Sequence, residues 1–219
     1  MKVEERAAVV RTIEELGIVA VIRMRDAAKL RHVIDALAEG GVRAIEVTMT
    51  VPNAVALIEQ LAPALPSNIL LGAGTVTDGD TARAVIDAGA RFVVGPVFVR
   101  EVMDTCRERH VAVAPGCFSP TEIFEAHRLG ADIVKVFPAT SLGPQYLKDL
   151  RAPMPQLKLM PTGGVTLDNA GDWIRAGAVA VGAGSALLDS AAIESNRLDV
   201  ITANARRIVA SVGAARHSK

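Results

Sequence analysis

Eight short apolar runs, rich in β-branched residues, alternate along this chain with longer stretches of helical period. The runs fall at residues 17–23, 44–50, 69–75, 92–96, 111–115, 133–137, 157–162 and 178–182. Between them, stretches such as 27–39 set Leu30, Val33, Ile34 and Leu37 on one helical stripe. Strict strand-then-helix order predicts a parallel sheet, because parallel neighbours need a crossover connection. Eight such units in 219 residues predict an α/β chain closed as a (β/α)8 TIM barrel, one domain over residues 1–219, rather than an open doubly wound sheet. No Gly-x-Gly-x-x-Gly follows the first run, which argues against a dinucleotide-binding sheet. Residues 1–16 carry Val9, Val10, Ile13 and Leu16 at helical spacing and predict an extra N-terminal amphipathic helix. Ser119-Pro120-Thr121-Glu122 reads as a capping box with proline at the first helical position, and Thr77 and Thr166 are placed to cap two further helices. The tail predicts a last helix over 198–212 and fraying from 213 onward.

Composition narrows the partners. Lys+Arg and Asp+Glu both number 24, so the chain lacks the basic field that nucleic acid demands. Zero net charge also offers little repulsion against self-association. No run approaches the roughly 18 apolar residues of a membrane span. Glu4, Glu5, Arg6 and Arg11 break up the N-terminus, so it does not read as a signal peptide, and a cytoplasmic protein is expected. Cys106 and Cys117 have neither metal-type spacing nor a disulfide framework, which suits a reducing compartment. His32, His110, His127 and His217 are scattered, and no metal site is expected.

The chemistry concentrates at the C-terminal ends of the predicted strands, where barrels of this kind place their sites. Lys135 stands alone in Ile133-Val134-Lys135-Val136-Phe137, directly before Pro138. Burial disfavours an ammonium, and a neutral amine is a nucleophile toward carbonyl carbon, giving a Schiff base. A lysine that runs its amine out of a strand end to solvent would leave the same sequence. Glu46, Thr48 and Thr50 alternate with Ile45, Val47 and Met49, so period two turns the polar set inward. A buried carboxylate of purely structural duty is the alternative for Glu46. Arg23 ends the first run, and Gly72-Ala73-Gly74-Thr75 leaves room for a ligand with Thr75 as a donor. Gly163-Gly164 ahead of a helix, and Gly182-Ala183-Gly184-Ser185 at the next strand end, suit a phosphate, because exposed backbone N–H groups near a helix start bind anions. Tight turns would use the same glycines. Cys117 reads as a small wall residue, and Trp173 and Tyr146 as packing residues.

Taken together, Glu46-Val47-Thr48, Gly72-Ala73-Gly74-Thr75-Val76, Lys135-Val136-Phe137-Pro138-Ala139 and Pro161-Thr162-Gly163-Gly164 resemble the 2-keto-3-deoxy-6-phosphogluconate (KDPG) and 4-hydroxy-2-oxoglutarate aldolases, from Ile18 to Leu187. The resemblance implies a class I aldolase on a (β/α)8 barrel, as a homotrimer, with no cofactor beyond a covalent imine. It implies Lys135 as the Schiff-base lysine and Glu46 as the acid/base carboxylate. It places Thr75, Pro96, Phe137 and Thr162 in the substrate pocket, and Gly163, Gly164 and Ser185, with Gly184 beside them, at the phosphate. Some members carry arginine where this chain has Thr50, to hold the substrate carboxylate. Thr50 is expected among the substrate-binding residues, and of Arg23 and Thr50 it is Arg23, with Thr75, that is expected to take that carboxylate here, since a guanidinium fork matches it. The expected reaction cleaves KDPG to pyruvate and glyceraldehyde 3-phosphate, and 4-hydroxy-2-oxoglutarate to pyruvate and glyoxylate. The C4-epimeric 2-keto-3-deoxy-6-phosphogalactonate is the nearest alternative substrate. A phosphate-binding barrel that isomerises or decarboxylates without an imine, and a barrel that binds sugar phosphate without turnover, are the rival classes.

Overall fold

The computed structural model describes residues 3–217. The elements run α1 (Val3–Leu16), β1 (Ile18–Ile22), α2 (Leu30–Glu39), β2 (Ala44–Thr48), α3 (Ala54–Leu61), β3 (Leu70–Gly74), α4 (Gly79–Asp87), β4 (Phe92–Val94), α5 (Arg100–Glu108), β5 (Ala112–Ala114), β6 (Gly116–Cys117), α6 (Pro120–Arg128), β7 (Val134–Val136), α7 (Gly143–Arg151), β8 (Leu159–Pro161), α8 (Ala170–Arg175), β9 (Val181–Ala183), α9 (Ser190–Glu194) and α10 (Leu198–Arg216). A 3-10 turn, Ala27–Lys29, begins the stretch expected to be one helix over 27–39.

All strand pairings are parallel. They form one sheet in the order β5-β4-β3-β2-β1-β9 and another in the order β6-β7-β8. The run expected as one strand over 111–115 is thus divided into β5 and β6, at Pro115. Proline has no N–H to give to a ladder, but the Pro115 carbonyl still accepts from Lys135 N at 2.9 Å. At the far edge, Thr162 after β8 bridges in parallel to Gly182 of β9.

The sheet curls, because its concave face closes on itself. Val19 of β1, Phe92 and Val94 of β4, Ile133 before β7 and Met160 of β8 belong to one buried cluster. Val9, Val10 and Ile13 of α1 enter that same cluster, so the N-terminal helix fills the lower end of the concavity. Arg6 holds α1 there by pairing with Asp132 at 2.8 Å, while Asp132 accepts from Val113 N at 2.9 Å. The convex face carries a second, larger cluster that packs Ile45, Val47, Leu71 and Val134 against the helices. Each such side chain, fully buried, contributes roughly 1.5–3 kcal/mol.

Helix ends follow the sequence with three corrections. The Ser119–Glu122 capping box forms, with Pro120 starting α6. Asp78, not Thr77, caps α4, because its carboxylate accepts from both the N–H and the hydroxyl of Thr81. Asn169, not Thr166, is the residue before the first turn of α8, and Thr166 instead exchanges hydrogen bonds with Asn169 across the preceding turn. The last helix runs to Arg216 instead of fraying at 213, since the Arg216 guanidinium is fastened to the Glu14 and Glu15 carbonyls at the end of α1. The final stretch of the tail, Ser218 and Lys219, lies outside the described residues. None of the described helices is long and apolar enough to cross a membrane.

Candidate active site

The upper half of the concavity is polar. Glu46 on β2 and Lys135 on β7 reach across it, with Lys135 Nζ 3.8 Å from Glu46 Oε1 and both side chains 1% exposed. Lys135 therefore does not run out to solvent. Its ammonium end also lies over the Phe137 ring, 5.2 Å from the centroid, a cation–π distance. The Phe137–Pro138 peptide that follows is cis.

Neither carboxylate oxygen of Glu46 has a hydrogen-bond partner, and neither does the buried Thr162 hydroxyl beyond β8. Buried polar atoms are nearly always hydrogen-bonded, so these three mark a place where the fold leaves polar capacity for something other than itself. Burial pushes the Glu46 carboxyl above its ordinary range, against the opposing pull of Lys135 and then Arg23. Two glycines make these placements possible. A methyl on Gly74 would collide with the Glu46 carboxylate, and one on Gly182 with the Thr162 hydroxyl.

Beside the pair opens a cavity of about 240 Å³ lined by Arg23, Phe137, Thr162, Gly163, Gly164, Gly184 and Ser185. Gly163 and Gly164 have φ of 88° and 74°, the left-handed region that glycine enters without strain. The Asn169 amide donates to the Gly164 carbonyl at 2.9 Å and fixes the turn. The expected phosphate group of residues is thus one wall of one cavity. A neighbouring cavity of about 530 Å³ is lined by Arg23, Arg25, Asp26, Thr50, Ser190 and Glu194 among others, so Arg23 is common to both.

Other expectations fare differently. β2 stops at Thr48, because Val51 N turns back to the Thr48 carbonyl at 3.0 Å. Glu46 and Thr48 are buried as the alternation predicts, but Thr50 lies past the strand and is exposed. Thr75 follows β3 half-buried with φ 60°, and Pro96 follows β4. Neither lines the two cavities. Cys117 donates to the Glu122 carbonyl at 3.5 Å, and burial pushes its thiol up to about 12, which removes it as a nucleophile at neutral pH. Trp173 is buried, and Tyr146 donates to the Phe118 carbonyl at 2.6 Å. Among the described residues no group of His, Cys, Asp and Glu is arranged to hold a metal ion.

Sequence reasoning missed Ser190, which lines both cavities, and Lys29. The Lys29 ammonium donates to the carbonyls of Ile193 and Glu194, each at 3.0 Å, and so ties the segment after β1 to the end of α9. Asp189-Ser190 ahead of an apolar run was the available cap signal for α9, and the Asp189 side chain does accept from Ala192 N at 2.8 Å. Nothing local to Lys29 announces a bond to residues so far along the chain.

The KDPG and KHG aldolase family matches residues 9–204. A 2-dehydro-3-deoxy-phosphogluconate aldolase of Pseudomonas aeruginosa is 35% identical over 193 residues, 87% of each chain. A 2-dehydro-3-deoxy-6-phosphogalactonate aldolase of Escherichia coli is 34% identical over 175 residues, 79% of this chain and 85% of that protein. Among solved structures, a KDPG aldolase from Legionella pneumophila, with pyruvate captured at low pH as a covalent carbinolamine, aligns with a TM-score of 0.85 at 29% identity, over 91% of this chain and 97% of that one. With a curled parallel sheet, a buried lysine–carboxylate pair and relatives of this kind over most of its length, the chain belongs to the KDPG and KHG aldolase family.

Proposed function

We propose that this protein is a class I aldolase that cleaves KDPG to pyruvate and glyceraldehyde 3-phosphate through an imine on Lys135, and that it also accepts 4-hydroxy-2-oxoglutarate. The observation that carries the reading is the buried Lys135 amine 3.8 Å from a Glu46 carboxylate with no hydrogen-bond partner. Gluconate is preferred over its galactonate epimer because most of the relatives at 31–35% identity bear the gluconate name.

Lys135 Nζ attacks the C2 ketone of the bound 2-keto acid, and the carbinolamine loses water to give an iminium. Glu46, directly or through one water, gives and takes the protons of that step. The iminium then draws the electron pair of the C3–C4 bond as Glu46 removes the C4 hydroxyl proton. Glyceraldehyde 3-phosphate leaves, C3 of the enamine is protonated, and water hydrolyses the imine to pyruvate and free Lys135. The iminium supplies the polarisation that a Lewis-acidic metal supplies in other aldolases, so the cycle needs no cofactor. Arg23 and Thr75 hold the substrate carboxylate, Thr162, Pro96 and Phe137 shape the pocket, and Gly163, Gly164, Gly184 and Ser185 receive the phosphate. The Legionella relative with its pyruvate carbinolamine supports the same first step here.

The two parallel sheets are read as one closed (β/α)8 barrel. Support comes from the Thr162–Gly182 bridge at one junction and the Lys135–Pro115 bond at the other. A homotrimer accords with Val97, Phe118 and Phe124, large apolar side chains that are 53%, 42% and 45% exposed. Two buried free cysteines suit the cytoplasm.

The deciding experiment is intact mass and peptide mapping after incubation with pyruvate and borohydride. A reduced pyruvate adduct on Lys135 is expected. An unlabelled protein, under conditions that label another class I aldolase, would return the chain to imine-free isomerase or decarboxylase chemistry.

A further inference from the structure

The hydroxyls of Thr48 and Thr50 lie 2.6 Å apart, and that distance alone leaves either as donor. A second bond fixes the direction. Thr48 Oγ1 is 2.8 Å from the carbonyl oxygen of Ile22, an atom that can only accept. A threonine hydroxyl has one proton, so Thr48 gives its proton to Ile22. The proton between the two threonines therefore comes from Thr50. Thr50 is left with lone pairs and no proton to offer.

This polarity bears on the cavity of about 530 Å³ that Thr50 shares with Arg23. A carboxylate is also acceptor-only, so Thr50 cannot bind one while the chain of bonds stands. A guanidinium is the complementary group, with five donors and no acceptor. Arg23 follows Ile22 directly in sequence, and among the described residues its guanidinium makes no hydrogen bond or ion pair. Its charge already acts on Glu46. An untethered guanidinium thus has a competing attraction toward the carboxylate of the reacting pair.

We propose that Thr50 is a positioning residue that accepts a hydrogen bond from the Arg23 guanidinium and so holds Arg23 for the substrate carboxylate. The proposal rests on the aldolase reading and on Arg23 as the carboxylate ligand. Donation runs without a mismatch from Arg23 to Thr50, to Thr48, to the Ile22 carbonyl, linking the ends of β2 and β1.

The test is the pyruvate dependence of borohydride labelling at Lys135 in the full-length protein, for wild type, Thr50→Val, Thr50→Ser, Arg23→Met and the Arg23→Met/Thr50→Val double variant. Thr50→Val is expected to raise half-saturating pyruvate roughly threefold to tenfold, the range of one net hydrogen bond, with the limiting labelling rate kept. Thr50→Ser should restore the wild-type value. Arg23→Met should weaken pyruvate binding further, and adding Thr50→Val to it should change nothing more. The proposal is overturned if Thr50→Val leaves half-saturation unchanged, if Thr50→Ser fails to restore it, or if Thr50→Val keeps its full effect beside Arg23→Met. That last result would put Thr50 on the carboxylate itself. A wild-type protein that pyruvate does not label overturns the aldolase reading instead, which separates the two failures.

Discussion

The lower and upper halves of the concavity are built on the same strands and to opposite ends. Below, Val19, Leu70, Phe92, Ile133 and Met160 meet Val10 and Ile13 of α1 and leave only about 10 Å³ unfilled. That is about the least space that holds a single water. Above, Glu46, Lys135 and Thr162 carry buried polar atoms beside cavities of about 240 and 530 Å³. The packed layer and the polar layer are thus only two residues apart along the chain, Ile133 just before β7 belonging to the lower cluster and Lys135 within β7 pairing with Glu46 in the upper. The difference teaches that the site lies where jigsaw packing stops, and that stability and activity should respond separately to changes in the two halves.

The sharpest break is expected at Lys135. Lys135→Ala should abolish pyruvate release and borohydride labelling together, and measurable turnover by this variant would sink the imine mechanism. Glu46→Gln should slow cleavage by roughly 10²–10⁴, the share of one acid/base group. In the proposed mechanism the ionised carboxylate is the form that takes the C4 hydroxyl proton, and burial raises its pKa. Activity should therefore be lost as pH falls through a value above the ordinary carboxylate range. A pH–rate profile whose acid limb sits at or below that range would assign the base to another group.

In the lower half the effects should reverse. Ile13→Ala removes a plugging side chain of α1 and should cost about 2–5 kcal/mol of stability, read by urea unfolding, while the folded variant still labels at Lys135. Loss of labelling in folded protein would show that the two halves are not separable. The smallest effect is expected away from both. Asp78→Ala should cost about 1 kcal/mol as a lost helix cap. Hydrogen bonds from Thr81 hold the Asp78 carboxyl below its ordinary value. The stabilisation is therefore present above the unfolded-state value and lost as pH falls through the folded one. The difference in Tm between wild type and variant should shrink on acidification, and a constant difference would deny that the charge matters.

Much of the upper half was legible because its residues are out of place by local rules. A lysine among valines and a carboxylate alternating with threonines contradict the apolar pattern of a strand buried on both faces, and such conflicts gather at working sites. The Gly163–Gly164 pair was legible as well, since the turn after β8 needs positive φ twice. What stayed hidden depends on contacts between distant segments. The end of β2 is set by a turn bond from Val51 to Thr48 and not by residue type, which put Thr50 on the wrong side of a strand boundary. The continuation of α10 past Gly213 depends on Arg216 reaching the end of α1. Lys29 joins the end of α9 across more than 160 positions.

The helix that fills the lower end also bears on kinetics. If molecules come and go only by the opposite mouth, the two products cannot leave independently. In the proposed mechanism the aldehyde carries the phosphate assigned to Gly163, Gly164 and Ser185 and is free once the C3–C4 bond breaks, whereas the three-carbon remainder is still bonded to Lys135. Departure becomes a queue with a fixed order, aldehyde first and pyruvate last. Pyruvate should then act as a competitive inhibitor of cleavage and the aldehyde as a noncompetitive one. In the reverse direction the rule inverts, and pyruvate must enter before any aldehyde can be joined to it.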